Sequence, residues 1–152
     1  MSGRHEGRIL AVQFLFQRDI NTGDLNEALQ QFWTDHDAST KVREFTEALI
    51  RGVETNKTIL DEQLQASADN WEVRRMGGVD RNVMRVALFE MLHRPDIPPV
   101  VSINEAVDIA KELSSDESGR FVNGILDRAR RGLQRHARAA AVVNKVSNSS
   151  TG

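Results

Sequence analysis

The chain has 152 residues, 39% hydrophobic and 28% charged, which suits one globular domain with a real core. It has no cysteine, so structural disulfides and thiolate metal sites are excluded, and no apolar run approaches a membrane span. The net charge of −2 hides an asymmetry: residues 128–152 carry Arg128, Arg130, Arg131, Arg135, Arg138 and Lys145 with no acid, leaving the preceding part acidic. Arginine outnumbers lysine 16 to 4, and its planar fork suits phosphates, bases and carboxylates. A solvated basic helix end complementing the helix dipole accounts for the same run.

In chain order, Arg4 to Ile20 reads as a first helix, apolar on several sides through Ile9, Leu10, Val12, Phe14, Leu15 and Phe16, and so expected at a bundle centre. Arg4 and Arg8 share a face near its start, where positive charge opposes the dipole; service to a partner explains them, and surface tolerance explains them nearly as well. Asn21-Thr22-Gly23-Asp24 is a stop, a turn and a new N-cap, and Leu25 to Trp33 gives a short second helix. The Asp35-His36-Asp37 run lacks a fourth ligand and is not read as a metal site.

Ser39 or Thr40 caps a third helix with Val42, Phe45, Leu49, Ile50 and Val53 on its face. A bend is expected near Asn56, after which Ile59, Leu60, Leu64 and Ala68 resume the pattern. Glu44, Glu47, Glu54, Asp61 and Glu62 read as a solvated acidic face, and Trp71 as a plug between two bundles. Gly77-Gly78 breaks the chain before a helix with Val83, Met84, Ala87, Leu88, Met91 and Leu92 in two adjacent rows. Pro95, Pro98 and Pro99 stop it.

Ser102-Ile103-Asn104-Glu105 fits a capping box, with Ile103, Ala106, Val107, Ala110 and Leu113 as the face that follows. Ser114-Ser115-Asp116 restarts the pattern, and Val122, Ile125, Leu126, Ala129 and Leu133 form the last apolar face. Phe121 lies on the flank of that stripe, as a rim core residue or an exposed docking residue. Gly124 sits mid-helix at a cost of about 1 kcal/mol against alanine, for which close helix packing is the plain explanation. No strand pattern appears. The expected fold is therefore all-α, with about seven helices. It comprises one domain over 1–140, with sub-bundles at about 1–70 and 71–140, and a disordered tail at 141–152.

The usual chemistry of an enzyme is missing. His5, His36, His93 and His136 show no ligand spacing, and there is no phosphate loop and no nucleophile elbow. The reading is a binding protein, not an enzyme, with no cofactor, no metal and no membrane partner. The first ten residues contain no signal-peptide h-region, so the cytoplasm is the expected location.

One stretch carries a family signature. Val79-Asp80-Arg81, Val83 to Glu90, Ile97-Pro98, Ile103-Asn104-Glu105-Ala106-Val107-Asp108-Ile109-Ala110-Lys111 and Phe121-Val122-Asn123-Gly124-Ile125-Leu126-Asp127 resemble the NusB family in order and spacing. Ala11-Val12-Gln13 with Leu15-Phe16 fits that family's first helix, and the likeness spans roughly residues 4 to 130. The resemblance implies two packed three-helix bundles and a transcription antitermination factor. Such a factor binds single-stranded boxA RNA of ribosomal RNA leader transcripts together with the small-subunit ribosomal protein NusE. It meets other Nus factors and RNA polymerase indirectly and prevents premature termination.

By the same resemblance, Arg4, His5, Arg8 and Gln13 would face RNA, extended by Arg120 and Asn123, and Phe16, Asp80, Arg85, Glu117 and Phe121 would face the protein partner. A homodimer that covers the apolar first helix stays open. The sequence departs from the family at its N-terminal arm, where Gly3, Glu6 and Gly7 dilute the basic run. Fewer phosphate contacts imply weaker RNA binding by the chain alone, unless the basic C-terminal helix compensates. Two alternatives stand beside this reading. One is a protein–protein module of the same fold with weak or no RNA binding. The other is a piece of an RNA cytosine methyltransferase, against which the lack of a following Rossmann pattern counts.

Overall fold

The computed structural model describes the backbone of residues 3–150 and the side chains of residues 3–135. Six α-helices and one 3-10 turn follow one another: α1 Gly3–Ile20, α2 Leu25–Asp35, α3 Thr40–Ser67, the turn Val73–Arg75, α4 Gly78–His93, α5 Pro99–Leu113 and α6 Asp116–Ser150. There is no strand among the described residues. The all-α expectation holds. The tail expected at 141–152 lies outside the residues whose side chains are described.

The helix count differs by one because α3 does not bend at Asn56. The Asn56 side-chain amide donates to the Gly52 carbonyl at 2.8 Å, one turn back, and α3 continues for 28 residues, about 42 Å. Ile59, expected in its core face, is exposed instead. The expected caps at Asp24 and Ser39 are present: each side chain accepts a backbone N–H three residues on, from Glu27 at 3.0 Å and from Val42 at 3.3 Å. The capping box at Ser102 is not. α5 already begins at Pro99, where a missing donor costs nothing, so Ser102 and Glu105 lie inside the helix with their side chains free for other elements.

The central helix is α4 rather than α1. Asn82 to Glu90 are nine consecutive buried residues, and α4 packs against α1, α3, α5 and α6. A helix buried all round occupies the middle of a bundle. On α1, Leu10, Ala11, Val12, Phe14 and Leu15 are buried, whereas Phe16 and Ile20 are exposed. One continuous buried cluster includes residues of all six α-helices. α2 joins it through Phe32, whose ring meets Phe14 edge-on at 5.4 Å and stacks on His36 at 4.0 Å. His36 is thus an aromatic lid on the core.

Small residues set the helix spacing at several crossings. A Cβ on Gly52 would lie 2.1 Å from Cζ of Phe89, so α3 and α4 approach through bare backbone there. Gly52→Ala is expected to destabilise by about 1–3 kcal/mol despite its better helix propensity, because overpacking outweighs it; chemical denaturation of the variant checks this. Gly7 has the same role where α1 meets α3: its Cβ would sit 2.7 Å from Phe45. Gly124 does not. Nothing lies within 4 Å of its added Cβ, so the close packing expected for it is absent and α6 presents a bare patch of backbone there.

Candidate nucleic-acid and partner interface

The N-terminal arm is the first turns of α1, laid along α3 by Gly3 and Gly7. Its cations are held by acids from three other segments. Arg4 reaches Asp96 at 3.5 Å, in an exposed pair, and lies over the Phe45 ring at 5.2 Å. His5 Nδ1 contacts Glu105 at 2.5 Å and its Nε2 contacts Glu112 at 3.4 Å, both on α5. The bond to Glu105 holds the imidazole above its usual range, against the opposing effect of burial.

Arg8 is different. Its side chain is 4% exposed; Nε and Nη2 donate to the two carboxylate oxygens of Glu90, each at 2.8 Å. Ser102 adds its hydroxyl to Glu90 at 2.9 Å. This is a buried fork-on-fork pair with little free capacity. It locks α1 to α4 and leaves Arg8 facing inward. Gln13 is half-buried, and Arg120 and Asn123 are exposed on α6.

Of the residues expected to face a protein partner, Phe16 is 40% exposed and covers Gly78, whose Cβ would meet its ring at 2.6 Å. Phe121 is half-buried and meets Trp71 edge-on at 5.7 Å. Trp71 is 58% exposed, so it is not the plug expected between bundles but the outer member of an aromatic pair. Glu117 is exposed, while Asp80 is half-buried with Oδ1 lacking a hydrogen-bond partner. Burial pushes the Asp80 carboxyl up from its usual range.

Arg85 is buried in a network that sequence reasoning missed. Nε and Nη2 donate to Asp61 at 2.7 and 2.9 Å, and Nη1 donates to Asp19 at 3.1 Å. Arg81, Asn82 and Lys57 complete the shell of Asp19 at 2.8, 2.9 and 3.4 Å. Asp61 is therefore not part of a solvated acidic face. Neither are Glu47, which accepts from the Trp33 indole at 2.8 Å, and Glu54, which faces Arg18 at 3.7 Å. The signal for Glu90 was in the sequence: a lone carboxylate inside the apolar run Ala87-Leu88-Phe89-Glu90-Met91-Leu92 needs a buried cation. Nothing local marked Arg8 as that cation.

Glu105→Gln removes the main acceptor on His5, so the imidazole pKa is expected to fall back toward 6.5, readable by NMR titration. The raised value means that this contact stabilises fully below about pH 6.5 and is lost as pH rises through the folded-state value.

These features define an all-helical protein with a braced basic arm on one face and an aromatic pair rimmed by carboxylates on another. No helix among the described residues is long and apolar enough to cross a membrane. The NusB family model matches residues 5–131, and the chain belongs to the NusB family. A transcription antitermination protein NusB of Desulfosudis oleivorans is 43% identical over 136 residues, 88% of each chain. One of Myxococcus xanthus is 40% identical over 132 residues, 84% of this chain and 94% of that one. The solved structure of T. maritima NusB superposes with a TM-score of 0.76 at 36% identity, over 84% of this chain and 90% of that one. A chain from the crystal structure of antitermination factors NusB and NusE in complex with dsRNA shares the fold, with a TM-score of 0.79 at 20% identity, over 87% of this chain and 98% of that one.

Proposed function

We propose that this chain is a transcription antitermination factor. It binds boxA-type RNA of ribosomal RNA leader transcripts together with NusE, joins other Nus factors and RNA polymerase through that complex, and prevents premature termination. The observation that carries the reading is family membership across residues 5–131, with relatives above 40% identity named as antitermination proteins. The protein acts in the cytoplasm and by binding alone, with no covalent step.

On this reading Arg4, His5 and Gln13 form the RNA side of the arm, extended by Arg120 and Asn123. Arg8 supports them as a strut, since its guanidinium is occupied by Glu90. Phe16, Phe121, Glu117 and Asp80 offer the partner two aromatic anchors and a carboxylate rim, the composition that small interfaces favour. Asp80 underlies that rim, with its Oδ1 enclosed within the protein. Arg85 supports that face through Asp19 and Asp61 and stays within the protein.

A specific observation favours a second reading, a protein–protein module with weak RNA binding: the arm's cations face Asp96, Glu105, Glu112 and Glu90. Fluorescence anisotropy decides. Labelled boxA RNA and a scrambled control are titrated with the chain, alone and with NusE. Tighter, sequence-selective binding with NusE is the expected result. Partner binding with no preference between the two RNAs overturns the first reading in favour of the second.

A further inference from the structure

The basic C-terminal half of α6 has no part in the surfaces above. Arg128, Arg131 and Arg135 are exposed and line one groove with Gln63, Ser67 and Asp69 near the end of α3. Their spacing of three and four residues puts them on one stripe of the helix, each about 4.5–6 Å further along its axis. Arg138 and Lys145 continue the same register in sequence, and the backbone is helical to Ser150. The neighbouring charges are few. Arg131 pairs with Asp127 at 2.7 Å in an exposed contact, Asp69 lines the groove, and no acid follows Asp127.

This stripe is remote from the arm. Arg4 lies over Phe45 near the start of α3, whereas Arg128 donates to the Ser67 carbonyl at its end. The helical rise from 45 to 67 separates the two by about 33 Å.

We propose that this stripe is a second RNA-contacting surface, which tracks the phosphodiester backbone of RNA flanking the segment held at the arm, without reading its sequence. The inference rests on the RNA-binding reading above. Arginine forks in register along an exposed helix match a row of phosphates. An anionic membrane surface is less suited, because the apolar face of α6, with Val122, Ile125, Leu126 and Ala129, is already buried in the core.

The test uses the full chain with NusE and two labelled RNAs, boxA alone and boxA extended by flanking polyuridine, across a salt series. The extended RNA should bind with the steeper salt dependence. The triple variant R128Q/R131Q/R135Q should lower that log–log slope by about 2, at about 0.7 per phosphate contact, and leave boxA alone unchanged. The triple Arg→Lys variant should keep the slope, which separates charge from shape. If the glutamine variant unfolds, Arg135→Glu by itself should lower the slope by about 1. Equal slopes for the native chain and a folded variant overturn the proposal. So does loss of binding to phosphatidylserine vesicles in the variant with RNA slopes unchanged, which would assign the stripe to a lipid surface. Failure of boxA selectivity with the slope difference intact counts against the antitermination reading and leaves the stripe standing.

Discussion

Arg8→Ala is expected to destabilise the fold by about 3–5 kcal/mol, because it strands the Glu90 carboxylate in the core. Glu90 is fully buried, and its remaining partner would be the Ser102 hydroxyl. For a chain of this size the loss corresponds to a melting temperature lower by on the order of 10 °C. The double variant Arg8→Met/Glu90→Leu should recover most of it, since replacing a buried ion pair with apolar groups is often neutral. Differential scanning calorimetry of both variants is the measurement. A shift of the single variant within about 0.5 kcal/mol would show that water or a rearranged side chain satisfies Glu90.

The result bears directly on how RNA-binding variants are interpreted. A loss of RNA affinity in Arg8→Ala reports a displaced arm before it reports a lost phosphate contact. Arg4→Ala is the cleaner probe. The Arg4 pair with Asp96 is about half exposed on both sides, so little stability is at stake in it.

The second large effect lies in acid. Burial pushes the Asp19 carboxyl up, but hydrogen bonds from Arg81 and Asn82 and the charges of Arg85 and Arg81 outweigh it and lower its pKa to about 2. The unfolded chain therefore binds a proton on this group before the folded one does. The contribution is present above pH 3.8 and is lost as pH falls toward 2, and it amounts to about 2 kcal/mol. Asp19→Asn should lose a similar amount at neutral pH and show a flatter stability profile between about pH 4 and 2, followed by urea denaturation. Parallel profiles for the two proteins would place the acid sensitivity elsewhere. Since Asp19 also orients Arg81 and Arg85 beneath the proposed partner face, the same variant should weaken NusE binding at neutral pH.

The helical class, the caps at Asp24 and Ser39, the break at Gly77-Gly78, the apolar face of α5 and that of α3 except for Ile59 are legible in the chain alone. It also carried the NusB signature from Val79 to Asp127. These are local or periodic signals, and local hydrogen bonding and amphipathic burial decide them. Its capping box at Ser102 failed because Pro99 starts α5 three residues earlier. Its packing account of Gly124 failed because no neighbouring element reaches that glycine.

Which helix is central and which charges face inward follow from how the helices pack. Arg8 and Glu90 are 82 residues apart, as Arg85 and Asp61 are 24 apart, and an exposed and a buried arginine look alike in a sequence. Burial makes a charge find a partner, and the partner is chosen by which helices meet. The same holds for Gly7. In sequence it dilutes the basic arm; in the fold it is the point where α1 closes onto Phe45 and brings Arg4 over that ring.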